Sequence, residues 1–208
     1  GDTKYMEEAV ARKAEIEYLN KSYDEAMATF KQLQLIAENP VNKEAAKLGI
    51  MRSAQILNQP KEALLAANEL LKEAKVSPEV MTEARYVRAK AYISQGQENL
   101  AVDDLTELSK DTRTVYGAEG KYLLAQHYYD NNDDAAAIRL LEDYAKNGTP
   151  HQYWLARGFI LWADIYIRQG DQAKARIYLN SLTSNYKGSD DIAAMIENRL
   201  MKLKTTNE

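Results

Sequence analysis

Small and apolar residues return along this chain at helical spacing, and the same arrangement recurs five times. Five stretches align: Ser22-Tyr23-Asp24-Glu25-Ala26, Gln59-Pro60-Lys61-Glu62-Ala63, Gln97-Glu98-Asn99-Leu100-Ala101, Asp133-Asp134-Ala135-Ala136-Ala137 and Asp171-Gln172-Ala173-Lys174-Ala175. Their closing alanines stand 37, 38, 36 and 38 residues apart. Five residues before each alanine comes Lys21, Asn58, Gly96, Asn132 or Gly170. Gly and Asn tolerate left-handed backbone, which ends one helix and turns the chain into the next. Lys21 breaks that rule, so the first turn is the least well specified. Seven residues before the turn stands another residue, small in four of the five repeats: Ala14, Met51, Ala89, Ala125 and Ala163. Four residues after the second-helix alanine comes Phe30, Leu105, Leu141 or Leu179, with Ala67 the exception. Residues i and i+4 share a helix face, so each repeat reads as two helices whose apolar stripes meet across a short turn.

The spacing predicts helices over 4–20 and 23–37, 43–57 and 60–74, 79–95 and 98–109, 114–130 and 133–146, and 151–169 and 172–185. The repeats run over 4–38, 42–75, 79–110, 114–147 and 151–186. Pro40, Pro78 and Pro150 are expected between repeats, and Pro60 in the first turn of a helix. A last segment, 189–204, starts on an Asp/Ser cap and carries Ile192, Met195, Ile196, Leu200 and Leu203 at helical spacing. It is expected to be a capping helix that shields the final repeat from water. No internal linker interrupts the pattern, which predicts one continuous all-α domain over 1–208.

Composition agrees. The 208 residues include only nine Gly and four Pro, and are 45% apolar and 28% charged, rich in good helix formers. With 27 basic and 31 acidic residues the net charge is -4, so no basic excess points to nucleic acid. The absence of cysteine removes disulfides, thiolate metal sites and cysteine nucleophiles from consideration. No apolar run approaches the roughly 20 residues of a membrane span. The start, Gly1-Asp2-Thr3, lacks an initiator Met and reads as trimmed, leaving room for a targeting segment or further repeats upstream. The end, Thr205-Thr206-Asn207-Glu208, reads as a frayed terminus.

The sequence offers little catalytic chemistry. His127 and His151 have no His or Glu at ligand spacing. Asp130-Asn131-Asn132-Asp133-Asp134 begins like a calcium loop, but Ala135 and Leu141 stand where Gly and Glu are required. Gly117-Ala118-Glu119-Gly120-Lys121 lacks phosphate-loop spacing and reads as a helix entry. The adjacent pairs Asp103-Asp104 and Asp190-Asp191 do not face each other on a helix and read as solvated surface or caps. Neither an enzyme nor a cofactor nor a metal is expected.

The third repeat reads Ala89, Tyr92, Gly96, Ala101, Leu105; the fifth, Ala163, Tyr166, Gly170, Ala175, Leu179; the fourth, Ala125, Tyr128, Asn132, Ala137, Leu141. In these residues the chain resembles the tetratricopeptide repeat (TPR) family, and the resemblance extends over nearly its whole length. It implies a right-handed α-α superhelix, a TPR solenoid of about five helix-turn-helix units plus the capping helix. The period exceeds the usual roughly 34 residues. In that it is similar to bacterial envelope TPR proteins, implying a periplasmic or envelope location. The implied function is a scaffold that binds a peptide or protein partner on its concave face. The alternative is an assembly or self-association module, a homo-oligomer or the C-terminal part of a larger repeat protein.

In the family the first helix of each repeat lines the binding face. Carried over by position, this gives Tyr86 and Lys90 in the third repeat, Tyr122, Gln126 and Tyr129 in the fourth, and Arg157, Ile160, Asp164 and Arg168 in the fifth. Tyr and Arg are the side chains that most often anchor interfaces. TPR modules that clamp a chaperone's terminal carboxylate place Asn one residue after the small residue and Lys three before it. No repeat here has either, so that subclass is not expected. Trp154 and Trp162, eight apart in the most apolar helix, suggest either a buried helix or a docking face.

Overall fold

The computed structural model describes residues 2–73 and 75–205. Gly1 and the expected frayed end at 206–208 lie outside the described residues, as does Ala74, the expected last residue of the fourth helix. The described residues form α-helices and no strand: α1 (Asp2–Leu19), α2 (Tyr23–Ile36), α3 (Pro40–Ile56), α4 (Pro60–Leu71), α5 (Pro78–Ser94), α6 (Glu98–Leu108), α7 (Val115–Asp130), α8 (Asp134–Asn147), α9 (Gln152–Arg168), α10 (Gln172–Asn185) and α11 (Ile192–Thr205). Every helix the spacing predicts is present. They pack as two compact units, residues 1–104 and 105–208, and each is a stack of antiparallel helix pairs of the α-α solenoid type.

The turn inside each pair is the same object five times. Lys21, Asn58, Gly96, Asn132 and Gly170 all take positive φ, at 64°, 54°, 69°, 61° and 81°. The next residue's N–H then reaches back to a carbonyl five residues earlier. The bonds are Ser22 to Glu17, Gln59 to Ala54, Gln97 to Tyr92, Asp133 to Tyr128 and Asp171 to Tyr166, at 2.8–2.9 Å. This is the Schellman arrangement, which satisfies carbonyls that a helix end leaves open. The donating residue stands immediately before the second helix. Asp133 and Asp171 cap it through their carboxylates, which accept from Ala136 N (3.0 Å) and Lys174 N (3.1 Å). Lys21 thus fills the turn despite its Cβ, because the flanking helices dictate the geometry.

Pro40 and Pro78 are not spacers between repeats. Each is the first residue of its helix, behind the caps Asn39 and Ser77, whose side chains accept from Val41 N and Val80 N. The fixed φ of proline suits that position and its missing N–H has no partner to lose there. Hence α3 starts three residues before the expected 43. In contrast α11 starts at Ile192 rather than 189, with Asp190 accepting from Ile192 N at 3.1 Å.

The repeat positions build the core. Ala14, Met51, Ala89, Ala125 and Ala163 are fully buried, and so are Ala26, Ala101, Ala137 and Ala175, with Ala63 at 2% exposure. Phe30, Ala67, Leu105, Leu141 and Leu179 complete the set, each 6% exposed or less. The second repeat exchanges sizes: Met51 is large where the others have Ala, and Ala67 is small where they have Leu or Phe. Both join one core with Leu33, Ile50, Leu70 and Val87 in the first unit. Burying each large aliphatic side chain contributes about 1.5–3 kcal/mol.

Second helices press onto the first helix that follows, as α2 on α3, α4 on α5, α8 on α9 and α10 on α11. The approach is close. A Cβ on Gly49 would overlap the Phe30 ring, and one on Gly117 would overlap the Asp111 carbonyl. Asp104, expected to be solvated, is 1% exposed. It accepts from Arg88 and Arg85, so the carboxylate is buried because two guanidinium groups replace its water.

Candidate functional site

First helices lie beside one another within each unit: α1 with α3 and α3 with α5 in the first, α7 with α9 and α9 with α11 in the second. Of the expected face residues, Tyr86 and Lys90 stand on α5, half-buried, with the Lys90 ammonium 6.0 Å from the Tyr86 ring centre. The others belong to the second unit.

There the side chains of α7, α9 and α11 interlock. Arg157 donates from Nη2 to the Tyr122 hydroxyl (2.8 Å) and from Nη1 to the Tyr153 hydroxyl (2.9 Å). Its guanidinium carbon lies 4.8 Å and 5.8 Å from the two ring centres. Tyr122 in turn donates to Gln126 Oε1 (3.2 Å), and Gln126 donates to Asp130 (2.8 Å). Further along α9, Arg168 lies 3.7 Å over the Tyr129 ring, donates to the Tyr129 carbonyl (2.9 Å) and pairs with Asp134. Asp164 receives a two-pronged pair from Arg199 of α11, at 2.6 and 2.7 Å. The structure therefore brings Tyr122, Gln126 and Arg157 together, and Tyr129 with Arg168.

Arg157 differs from the arginines beside it. Arg168 and Arg199 each hold a carboxylate, whereas Arg157's two hydrogen bonds go to phenols, and its Nε is buried without a partner. Tyr153 lies within 3.5 Å of Asp191, which links the cation to an anion only through a hydroxyl. Burial works against the Arg157 charge, but its contacts with Tyr122 and Tyr153 outweigh that and hold its pKa above the usual guanidinium range. Burial pushes Tyr122 up, with Arg157 opposing, and Tyr129 up as well, with Asp164 adding and Arg168 opposing.

Ile160 does not belong to the face. It is 1% exposed and sits in a core with Ile192 and Ile196. The register position it shares with Tyr122 turns toward the next first helix, and α11 occupies that place beside α9. Tyr122 is itself only 6% exposed, so its ring is part of the core. The two tryptophans are packing residues. Trp162 is 7% exposed and stacks near Phe159 and Tyr178, and Trp154 packs on Tyr122 and Tyr153. Tyr153 and Arg199 were absent from the sequence-derived set. Treating α11 as a shield alone, rather than as one more first helix, hid Arg199.

No group of three or more His, Asp or Glu that could hold a metal occurs among the described residues. No helix among them is long and apolar enough to cross a membrane.

A run of antiparallel helix pairs with a left-handed residue at every internal turn defines a helical-repeat protein. Residues 159–189 match the tetratricopeptide repeat family model. A crystal structure of nearly identical TPR-like repeats from Podosopora anserina is similar in fold, at TM-score 0.60 and 19% identity over 86% of this chain and 97% of that one. A tetratricopeptide repeat protein from Parabacteroides merdae aligns over 93% of this chain and 84% of that one, at 16% identity and TM-score 0.46. No curated protein matches the chain. Residues 159–189 thus match a tetratricopeptide repeat, and the fold of the chain is that of an α-α helical-repeat protein.

Proposed function

We propose that this chain binds a peptide or protein partner on the first-helix face of its second unit, the side that is concave in stacked helix pairs. Tetratricopeptide repeats mediate protein–protein interaction in general. What supports the particular face is Arg157, a half-buried guanidinium held between Tyr122 and Tyr153 with no carboxylate on it. A cation fixed by phenols keeps donor capacity for an arriving carboxylate, and a charge-assisted pair there would replace weaker neutral bonds. The neighbouring pairs, Arg168 with Tyr129 and Arg199 with Asp164, hold the face in shape and limit the entropy lost on binding. Lys90 and Tyr86 would offer a separate contact on the first-helix face of the first unit.

The test is a display selection of random peptides on the whole chain, followed by titration of the selected peptides. The reading requires acidic peptides to be enriched and their affinity to fall about tenfold or more on Arg157→Gln, as expected for a lost charged bond. Tyr129→Ala with Gln126→Ala should weaken them further. Enrichment of peptides indifferent to all three positions would defeat the assignment. Tyr122→Ala is the wrong probe, because its ring is core.

A further inference from the structure

Three of the five helix pairs are closed by a charged bond at one register, and the fifth is open there. Four residues before the buried Met51, Ala89 and Ala125 stand Lys47, Arg85 and Lys121. Each pairs with an acid that follows the second-helix alanine: Glu73 ten residues after Ala63, Asp104 three after Ala101 and Asp143 six after Ala137. In the first repeat the place of the cation holds Val10, which packs against the core. In the fifth it holds Phe159, and the three acid places hold Tyr178, Ser181 and Asn185. All four of these line a cleft of about 440 Å³ between α9 and α10, together with Leu155, Ile177, Leu182 and Gln152. No acid and no base lines it. Where three repeats hold an ion pair, this one holds an opening walled by rings and aliphatic chains.

We infer that this cleft binds an uncharged, largely apolar small molecule. Its volume falls within the roughly 300–1,000 Å³ of small-molecule sites, which are mostly apolar with a few polar groups. A charged ligand would lose water here and meet no opposite charge. The rim supplies acceptors. The Asn185 amide donates to the Ser181 carbonyl at 2.8 Å and the Gln152 amide to the Thr149 carbonyl at 2.6 Å, while neither amide oxygen accepts a bond among the described residues. The ligand is therefore one with an N–H or O–H at one end. A protein partner would find too little to hold. A stable interface takes about 800 Å² on each side. Yet Ile177, at 65%, is the one exposed large apolar side chain of α8, α9 and α10. Asn180, Thr183 and Ser184 near it on α10 are exposed and polar. The cleft shares no residue with the face proposed above, so neither reading depends on the other.

The test titrates the whole chain with two fluorophores. Phenylnaphthylamine is uncharged and has one N–H; anilinonaphthalene sulfonate has the same rings and carries an anion. The expected result is saturation at one phenylnaphthylamine per chain, with the sulfonate bound about tenfold more weakly. Ser181→Asp, which sets an acid at the register of Asp143, should weaken phenylnaphthylamine about tenfold, and so should Ile177→Asp. Both residues are exposed, so neither change disturbs the core. Leu65→Asp, at a residue 62% exposed on α4, should change nothing. Failure to saturate, equal affinity for the sulfonate, indifference to both cleft substitutions or an equal effect of Leu65→Asp overturns the inference. So does a dimer of the chain that Ile177→Asp dissociates, since the occupant is then a second copy.

Discussion

Arg88 grips Asp104 with two parallel bonds, Nε to Oδ2 at 2.6 Å and Nη2 to Oδ1 at 2.8 Å, on a carboxylate only 1% exposed. Arg85 adds a third bond at 3.2 Å, and Arg88 also donates to Asn68 of α4 at 3.0 Å. One buried acid therefore ties α4, α5 and α6 together. Removing one partner of such a group strands the other charge in a place without water. Asp104→Ala is expected to lower the unfolding free energy by about 3–5 kcal/mol. Urea denaturation checks this, and a loss below about 1 kcal/mol would show the pair to be ornamental.

The first turn is built on the wrong residue. Lys21 holds φ 64° where Gly96 and Gly170 hold 69° and 81°. Left-handed backbone costs a residue with a Cβ roughly 1–2 kcal/mol, and glycine's larger unfolded-state entropy returns part of that. Lys21→Gly should raise the unfolding free energy by about 0.5–1 kcal/mol. A decrease in the same denaturation experiment would mean that the Lys21 side chain contributes more than its backbone costs.

Gly117 and Gly158 separate two effects. Alanine in a helix gains up to about 1 kcal/mol over glycine by propensity. At Gly117 a Cβ would run into the Asp111 backbone carbonyl, which cannot rotate away, whereas at Gly158 it would meet Leu141 Cδ2 at 3.2 Å. Gly117→Ala should therefore destabilise by about 1–3 kcal/mol. Gly158→Ala should fall near zero, because a leucine methyl can yield. Equal effects at both sites, read from melting temperatures, would contradict the geometry.

Acid should loosen the first unit through Glu7. The Asn42 amide, at 2.8 Å, and the N–H groups of Glu38 and Asn39 hold the Glu7 carboxyl below the usual carboxylate range. A lowered folded-state pKa gives stability that is present above the unfolded value, about 4.3, and is lost as pH falls through the folded one. Stability should thus drop as pH is taken below about 4. Glu7→Gln should flatten part of that slope. Parallel pH profiles for the two chains would remove Glu7 from the account.

The pairing of helices and the identity of the core were legible because they rest on local rules. Alanine at two fixed places per repeat permits close helix contact, and Ala14, Ala26, Ala137 and Ala175 are all completely buried. What escaped depends on neighbours far along the chain. Asp104 reads as surface until Arg85 and Arg88 are seen to converge on it. Ile160 reads as face until α11 is seen lying alongside α9. Lys21 reads as an exception until the helices on either side are seen to impose one shape on whatever residue stands there. The proposed site was half legible: the register places Tyr122, Tyr129, Arg157 and Arg168 on first helices, but does not reveal that Arg157, unlike Arg168 and Arg199, goes without an acid.

The turn inside every helix pair has three residues, 20–22, 57–59, 95–97, 131–133 and 169–171, while the joints between pairs vary from 37–39 to 72–77 and 186–191. Length is thus conserved where the backbone must reverse in a fixed way and free where one pair merely leads to the next. The joints are where this chain should best tolerate splicing: a tag, a fluorophore site or an extra loop set at 187–189, ahead of the Asp190 cap, should pass unnoticed by the helices on either side.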